Sequence, residues 1–428
     1  MNPMRGIDVD RLVQPDRVHS HVYTDLTIFE EEIERIFTQG WIFVGHEGEI
    51  PVPGDFRQRT MARQPVIFVR DQHGGVQLLM NRCTHRANAV CHLERGNQPA
   101  FTCPYHGWRF KLDGELAVVP FAERFPEDFD RSALGLRSVP RVEAHRGFVF
   151  ASLNPDVCPL KDHLGPLVMQ ELDDIADLSP EGGIDVTAGY HRLRYAGNWK
   201  LQVENAIDGY HANFTHRTHM DNVRFRTGFD PAPLTSSAAP ARIHALGNGH
   251  CRWDSSSLNK SGTRAFPGKT PDPGAWEIYL DAMIAAHGKE RTDYLLSKQG
   301  SHLYIFPNFS YTGAHFRLFQ PVAPDETRVT LFPFLLKGAP REVNRKRLRV
   351  HETFFGPAGG GQSDDLEIFE RNQVGLGASL DPWSLLTRGV HLEQQEADGS
   401  VSNQITDELS NRTIWAKWKQ MMGEGAMA

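Results

Sequence analysis

The chain has 428 residues, 40% of them apolar and 23% charged, with 46 basic and 53 acidic side chains giving a net charge of −7. That length holds two or three domains with cores of their own, and the composition is that of a soluble globular protein. The acidic balance argues against a nucleic-acid partner or an anionic membrane surface, and no apolar run approaches the ~20 residues that span a bilayer. Five cysteines, and a polar start without the apolar core of a signal peptide, are expected of a cytoplasmic protein with reduced thiols.

Taken in order, the spacing of Ile28, Phe29, Ile33, Ile36 and Phe37 predicts a helix over residues 24–38, stopped at Gly40. From Trp41 the texture changes to short strands at 41–45, 66–70, 77–81, 101–103, 108–112 and 148–153, separated by Pro/Gly/Asp turns. That pattern predicts a small antiparallel β domain, closed by Asn154-Pro155. Beyond it we expect a helix at 167–178, an alternating strand at 184–195 and a long loop at 228–250 acting as a lid. A helix at 275–286, strands at 303–311, 315–321 and 327–335, helices at 341–355 and 365–374, and an amphipathic helix at 404–422 complete the expectation. The class is α+β, in three segments: a helical 1–39, a β-rich 40–157 and a mixed 158–428.

The densest chemistry in the β-rich segment is Cys83-Thr84-His85 followed, after 17 residues, by Cys103-Pro104-Tyr105-His106. Two cysteines and two histidines, one of each per loop, match a Rieske [2Fe–2S] centre, in which histidines replace two cysteines on one iron and raise its potential. A structural zinc site uses the same residue types, but usually pairs cysteine with cysteine and histidine with histidine.

A second constellation is Asp208, His211 and His216. On a helix Asp208 and His211 share a face, and His216 can turn back to the same point. Two histidines with a carboxylate and open positions form the facial triad of non-haem Fe(II) oxygenases, where O₂ enters beside the substrate. Alone, two histidines five apart are more often solvated; a neighbouring one-electron carrier gives them a reason. His219 reads as a surface histidine.

Asn198-Trp199-Lys200-Leu201, Glu204-Asn205, Asp208-x-Tyr210-His211 and His216, following Cys-x-His/Cys-x-x-His, resemble the large (α) subunits of Rieske non-haem iron ring-hydroxylating dioxygenases. The resemblance runs from about Tyr23 to the C-terminal helix, and Gly45-His46-Glu47 and Pro53-Gly54-Asp55-Phe56 place it nearest the benzoate, salicylate and terephthalate branch. It implies a β-rich Rieske domain within a helix-grip catalytic domain, an antiparallel sheet wrapped on a long helix. It also implies a [2Fe–2S] cluster on Cys83, His85, Cys103 and His106, and Fe(II) on His211, His216 and a late carboxylate after a glycine-rich stretch. Gly359-Gly360-Gly361-Gln362-Ser363-Asp364-Asp365 supplies that stretch, with Glu370 and Gln373 following; the pattern favours Asp365 over Asp364, which reads otherwise as a helix-capping acid. By the same resemblance Asp208 is not a ligand but a bridge, bonding His211 and receiving His106 of a neighbouring subunit in a ring of three.

The implied activity is reductive O₂ activation with cis-dihydroxylation of an aromatic compound, favoured as an aromatic carboxylate. Electrons come from NAD(P)H through a separate reductase, with or without a ferredoxin; the chain has no nucleotide-binding glycine fingerprint. The assembly is α3, or α3β3 with a small β subunit. The rivals are a monooxygenase or oxidative demethylase with the same centres, a pure Rieske electron carrier, and a redox-sensing binding protein. Arg317 reads first as a buried structural pair and second as a carboxylate anchor. Phe214, Val223, Leu303, Ile305 and Phe354 are expected to give a mostly apolar pocket.

Overall fold

The computed structural model describes residues 8–258 and 272–423. The chain divides into two compact units, Phe37–Leu160, and Met1–Ile36 together with Lys161–Ala428.

The smaller unit is built of antiparallel strands. One four-stranded sheet runs in the order Val76–Met80, Gln64–Arg70, Asp55–Met61, Arg95–Asn97, and a three-stranded sheet runs Leu116–Val118, Arg109–Phe110, Phe101–Thr102. A third sheet orders Arg141–His145, Phe148–Ser152 and Ile42–His46. Phe56, Ile67, Val69, Leu79, Phe101 and Phe110 form a continuous buried core with Cys83, Cys103 and Trp108. The strands expected from sequence lie within two residues of observed ones, but Asp55–Met61 and Arg141–His145 were not foreseen. For Asp55–Met61 the turn explains why. Ala62 and Arg63, both at positive φ (44° and 62°), connect the paired Met61 and Gln64. A two-residue hairpin turn of that handedness is normally signalled by Asn or Gly, and Ala-Arg carries no such signal.

The larger unit is organised on a nine-stranded antiparallel sheet. Its order is His191–Tyr195, Glu326–Pro333, His315–Ala323, Phe309–Thr312, His302–Ile305, His250–Asp254, Arg242–Gly247, Val401–Gln404, Gln394–Gln395. The central strands are buried on both faces; every residue of Phe309–Thr312 is covered. Hydrophobic alternation is lost there, since no face has to be polar.

Several expectations are corrected. The long loop at 228–250 contains the strand Arg242–Gly247, and 303–311 is two strands reversing at Phe306–Asn308. Residues 184–195 split into Ile184–Asp185 and His191–Tyr195, which pair with different partners. The C-terminal helix begins only at Leu409, because Val401–Gln404 extends the sheet. Residues 24–38 are the helix Leu26–Glu32 followed by a π-helical turn, Ile33–Thr38. The helix Arg341–Phe355 has the bounds expected.

Two carboxylates, one buried and one half-buried, fix the helix Trp199–Asn205. Glu32 is fully buried and accepts from Lys200 Nζ at 2.5 Å, Trp199 Nε1 at 2.8 Å and Trp418 Nε1 at 2.6 Å. Glu204 accepts from the Tyr23 hydroxyl and Trp415 Nε1, both at 2.7 Å. N-terminal segment, central helix and C-terminal helix Leu409–Gly423 are thereby joined through charge-assisted bonds. Asn198 caps the central helix, accepting from Lys200 N at 3.1 Å while its amide donates to the Tyr23 and Pro324 carbonyls at 2.9 Å. Glu32→Gln strands the Lys200 cation and should destabilise this unit by roughly 3–5 kcal/mol. Calorimetric unfolding would show it as a lowered Tm, and Glu32→Gln combined with Lys200→Met should recover part of the loss.

Candidate functional site

In the smaller unit, the two Cys/His loops are built alike. Cys83 N donates to Asn88 O at 2.8 Å and Cys83 O accepts from Ala87 N at 2.9 Å. Cys103 repeats this with Trp108 O at 2.8 Å and Gly107 N at 3.0 Å. The fourth residue after each cysteine is left-handed, Ala87 at φ 63° and Gly107 at φ 74°. Glycine suits that conformation and alanine resists it; Asn81 braces the strained loop, its Oδ1 accepting from Val90 N and Cys91 N at 2.9 Å. Both thiols are buried and neither is in a disulfide. The His85 and His106 rings meet edge-on at 4.6 Å, and His85 stacks on Trp108 at 4.8 Å. Two thiols and two imidazoles converge here, and buried His85 Nδ1 has no hydrogen-bond partner, which fits a [2Fe–2S] cluster held by two cysteines and two histidines.

In the larger unit, His211, His216 and Asp365 each offer a donor atom within 4.8 Å of the other two. Asp365 Oδ1 is 3.2 Å from His216 Nε2 and 3.6 Å from His211 Nε2. The rings lie at 5.1 Å and 76°. Asp365 is buried; Asp364 is the more exposed and reaches His216 only on its other side, at Nδ1, 3.6 Å away. The three donors fit a 2-His-1-carboxylate iron site. Burial is the largest influence on His211 and opposes its charge, but the Asp208 hydrogen bond and the charges of Asp208 and Asp365 together raise the pKa. Asp208 Oδ2 is 3.0 Å from His211 Nδ1 and its Oδ1 accepts from Tyr210 N at 2.6 Å. The contact is made in a turn, not along a helix, because the helix ends at Asn205. Gly209 permits that turn: a Cβ there would sit 2.7 Å from Ile405 O.

Asn205, unassigned from sequence, donates to Asp365 Oδ1 at 3.3 Å and lies 3.2 Å from His211 Nε2. Glu370 Oε1 and Gln373 Oε1 accept from Ala196 N and Asn198 N at 2.9 Å, locking the Asp365 helix to the start of the Asn205 helix. The glycine run has a packing cause, since a Cβ on Gly361 would lie 2.2 Å from the Phe354 ring. His219 packs edge-on against Phe354 at 4.8 Å and is not among the donors. His191, His351 and Glu352 form a second donor group. Its imidazoles lie nearly parallel, at 14°, so their in-plane lone pairs do not converge, and His191 is paired to Glu352 at 2.8 Å.

A cavity of about 330 Å³ opens on His211, His216 and Asp365, within the range of small-molecule sites. Of the expected lining, Phe354 and Arg317 are present, whereas Phe214, Val223, Leu303 and Ile305 are not. Phe214 points outward, 72% exposed. On the strand His302–Ile305 it is His302 that faces the cavity, so Leu303 and Ile305 face away. The wall includes Trp253, Trp276, Tyr279 and Phe355 and, from Arg341–Phe355, Val343, Arg347, Val350 and Phe354 at helical spacing. That spacing was available in the sequence.

Arg317 is 3% exposed, with Nε donating to His315 Nε2 at 3.0 Å and its guanidinium over Phe355 at 5.0 Å. The expected buried structural pair is not found: no carboxylate of the described residues is within ion-pair reach, and the only one acting on it is the more distant Asp365. Burial pushes its pKa down to about 10.

Residues 40–140 match the Rieske [2Fe-2S] domain, and residues 185–423 match the catalytic domain of the ring-hydroxylating alpha subunit. The chain belongs to the ring-hydroxylating dioxygenase large-subunit family. The 2-halobenzoate 1,2-dioxygenase large subunit of Burkholderia cepacia is 32% identical over 388 residues, covering 87% of this chain and 80% of that one. The anthranilate 1,2-dioxygenase large subunit of Acinetobacter baylyi is 33% identical over 384 residues, covering 88% and 80%. The crystal structure of naphthalene 1,2-dioxygenase from Rhodococcus sp. bound to indole superposes with a TM-score of 0.81 at 26% identity, over 95% of this chain and 94% of that one. A large subunit of this family carries a Rieske cluster and a mononuclear iron, as both donor sets allow. No helix of the described residues is long and apolar enough to cross a membrane.

Metal analysis should find three irons and two sulfides per chain, about one iron fewer in Asp365→Ala, and no loss in Asp364→Ala. Cys83→Ser should abolish the Rieske EPR signal; stoichiometric zinc in wild type would contradict the cluster assignment.

Proposed function

We propose that this large subunit is the terminal oxygenase of a system that cis-dihydroxylates an aromatic carboxylate. The observation that carries the substrate class is Arg317, a buried cation in the wall of the metal-site cavity with no carboxylate of its own. A buried guanidinium without a counter-charge is costly, and a substrate carboxylate can accept from it bidentately. The names of the benzoate-type relatives point to the same class. His351, fully buried in the same wall with neither ring nitrogen hydrogen-bonded, offers a further polar contact.

In the reaction, an arene, O₂, NAD(P)H and a proton become a cis-dihydrodiol and NAD(P)⁺, both oxygen atoms ending on the ring. When bound, the cluster supplies single electrons and the Fe(II) supplies the site of O₂ reduction. This chain's residues do the rest. Cys83, His85, Cys103 and His106 hold the cluster, and His211, His216 and Asp365 hold the iron. Asp208 fixes the His211 tautomer by taking its Nδ1 proton in a hydrogen bond, leaving Nε2 free as a donor. Phe354 and Phe355 present ring faces and edges to the substrate and exclude water.

The assignment of roles extends to the assembly. Residues 40–157 form the cluster domain, 158–428 the catalytic domain, and 1–39 pack with the latter. The chains form a trimer, with or without a small β subunit, in the cytoplasm. Asp208, whose side chain is 27% exposed, receives His106 of the adjacent subunit, and a reductase, with or without a ferredoxin, delivers the electrons.

Oxygen uptake with a reconstituted reductase tests the substrate class. Benzoate-type acids should stimulate uptake with product, and Arg317→Gln should raise KM for them at least tenfold; a response to naphthalene alone would contradict the proposal. For the bridge, Asp208→Asn should leave cluster reduction intact. Cluster reoxidation after substrate and O₂ are added should slow by orders of magnitude in single-turnover kinetics. Wild-type reoxidation would mean another electron route.

A further inference from the structure

The cavity wall holds a second cation, half-buried, in Arg347. Arg347, on the helix Arg341–Phe355, donates from Nη2 to Gly313 O at 3.2 Å and lies over the Phe334 ring at 5.0 Å. Its Nε is buried without a hydrogen-bond partner among the described residues. No carboxylate of those residues offsets its charge. The groups acting on it are two phenols, Tyr311 and Tyr279, and their hydroxyls donate to the Gly313 and Leu178 carbonyls at 2.9 and 2.7 Å.

The acids nearest this region are already taken. Glu171 and Asp174, which act on Tyr311, are paired: Glu171 with Arg252 and Lys298, and Asp174 with Lys298 and Arg291. Burial lowers the Arg347 pKa, as expected of a cation that has lost water without gaining a counter-charge. Lys346 lines the same cavity. The cavity's carboxylates are Asp208 and Asp365, and both face histidines. Neither Arg317 nor Arg347 therefore has an acid of the described residues in ion-pair reach, and a single substrate carboxylate pairs bidentately with only one of them. A purely structural role, tying the helix to Gly313, uses one of the five guanidinium N–H groups.

We infer that the aromatic substrate carries two acidic groups, one received by Arg317 and a second received by Arg347 in the same cavity. The inference rests on the aromatic-acid reading above and adds a second anchor to it. Two cations facing one rigid ring also set which ring edge is turned to the iron ligands, so Arg347 would act as a specificity determinant.

The test is anaerobic titration calorimetry of the reduced holo-oxygenase with benzoate and with the 1,2-, 1,3- and 1,4-benzenedicarboxylates. At least one dicarboxylate should bind tenfold or more tighter than benzoate. Arg347→Gln should cut that ratio at least tenfold, Arg347→Lys should restore part of it, and Arg317→Gln should weaken both classes. If Arg347→Gln does not fold, the Arg347→Lys ratio and the wild-type ratio still decide. Equal binding of benzoate and all three dicarboxylates, or a preference that survives loss of Arg347, overturns the second anchor and leaves the aromatic-acid reading standing. Binding of naphthalene with no acid bound overturns both.

Discussion

The catalytic unit depends on two inward-facing carboxylates, Glu32 fully buried and Glu204 half-buried. Glu32 and Glu204 are the acceptors for Lys200, Tyr23 and the indoles of Trp199, Trp415 and Trp418. Each bond is charge-assisted and made where the dielectric is low, so its geometry is well defined and its loss is costly. What they define is the position of Trp199–Asn205, the helix whose end delivers Asn205, Asp208 and His211. Burial raises the Glu204 pKa, with its hydrogen bonds to Tyr23 and Trp415 and the Lys200 cation opposing that shift.

The iron donors are tethered twice. From one side these carboxylates set the histidine-bearing segment, and from the other Glu370 and Gln373 tie the Asp365 helix to the amides at the start of the same segment. Asn205 closes the arrangement by touching both His211 and Asp365. The carboxylate comes from about 150 residues away in sequence, yet two short side-chain bonds fix its register. The close approach of Gly361 to Phe354 joins this positioning to the substrate cavity, so the glycine run serves the metal donors and the pocket wall together.

How much of this was legible follows from what each feature needs. The cluster loops were readable because ligand identity and spacing are themselves the chemistry; of the adjacent Asp364 and Asp365 only the family resemblance favoured the second, which is the one that lies between His211 and His216 in the fold. The helix Arg341–Phe355 was readable because its polar and apolar residues follow the helical period. The pocket was not. Strands covered on both faces carry no alternation, so Leu303 and Ile305 were assigned to the cavity when His302 occupies it. Ala62-Arg63 hid a hairpin because neither residue signals a left-handed turn. Arg317 and Arg347 needed the fold to show that no acid of the described residues meets them.

The central claim is that one cavity joins an iron triad to an acid-binding wall so that both atoms of O₂ enter an aromatic acid. Mass analysis of the product formed under ¹⁸O₂ by the reconstituted oxygenase, with an accepted aromatic carboxylate, tests it most directly. The account predicts a cis-diol carrying two ¹⁸O atoms with one NAD(P)H consumed per O₂. A product with one ¹⁸O, the second atom lost to water, would contradict it.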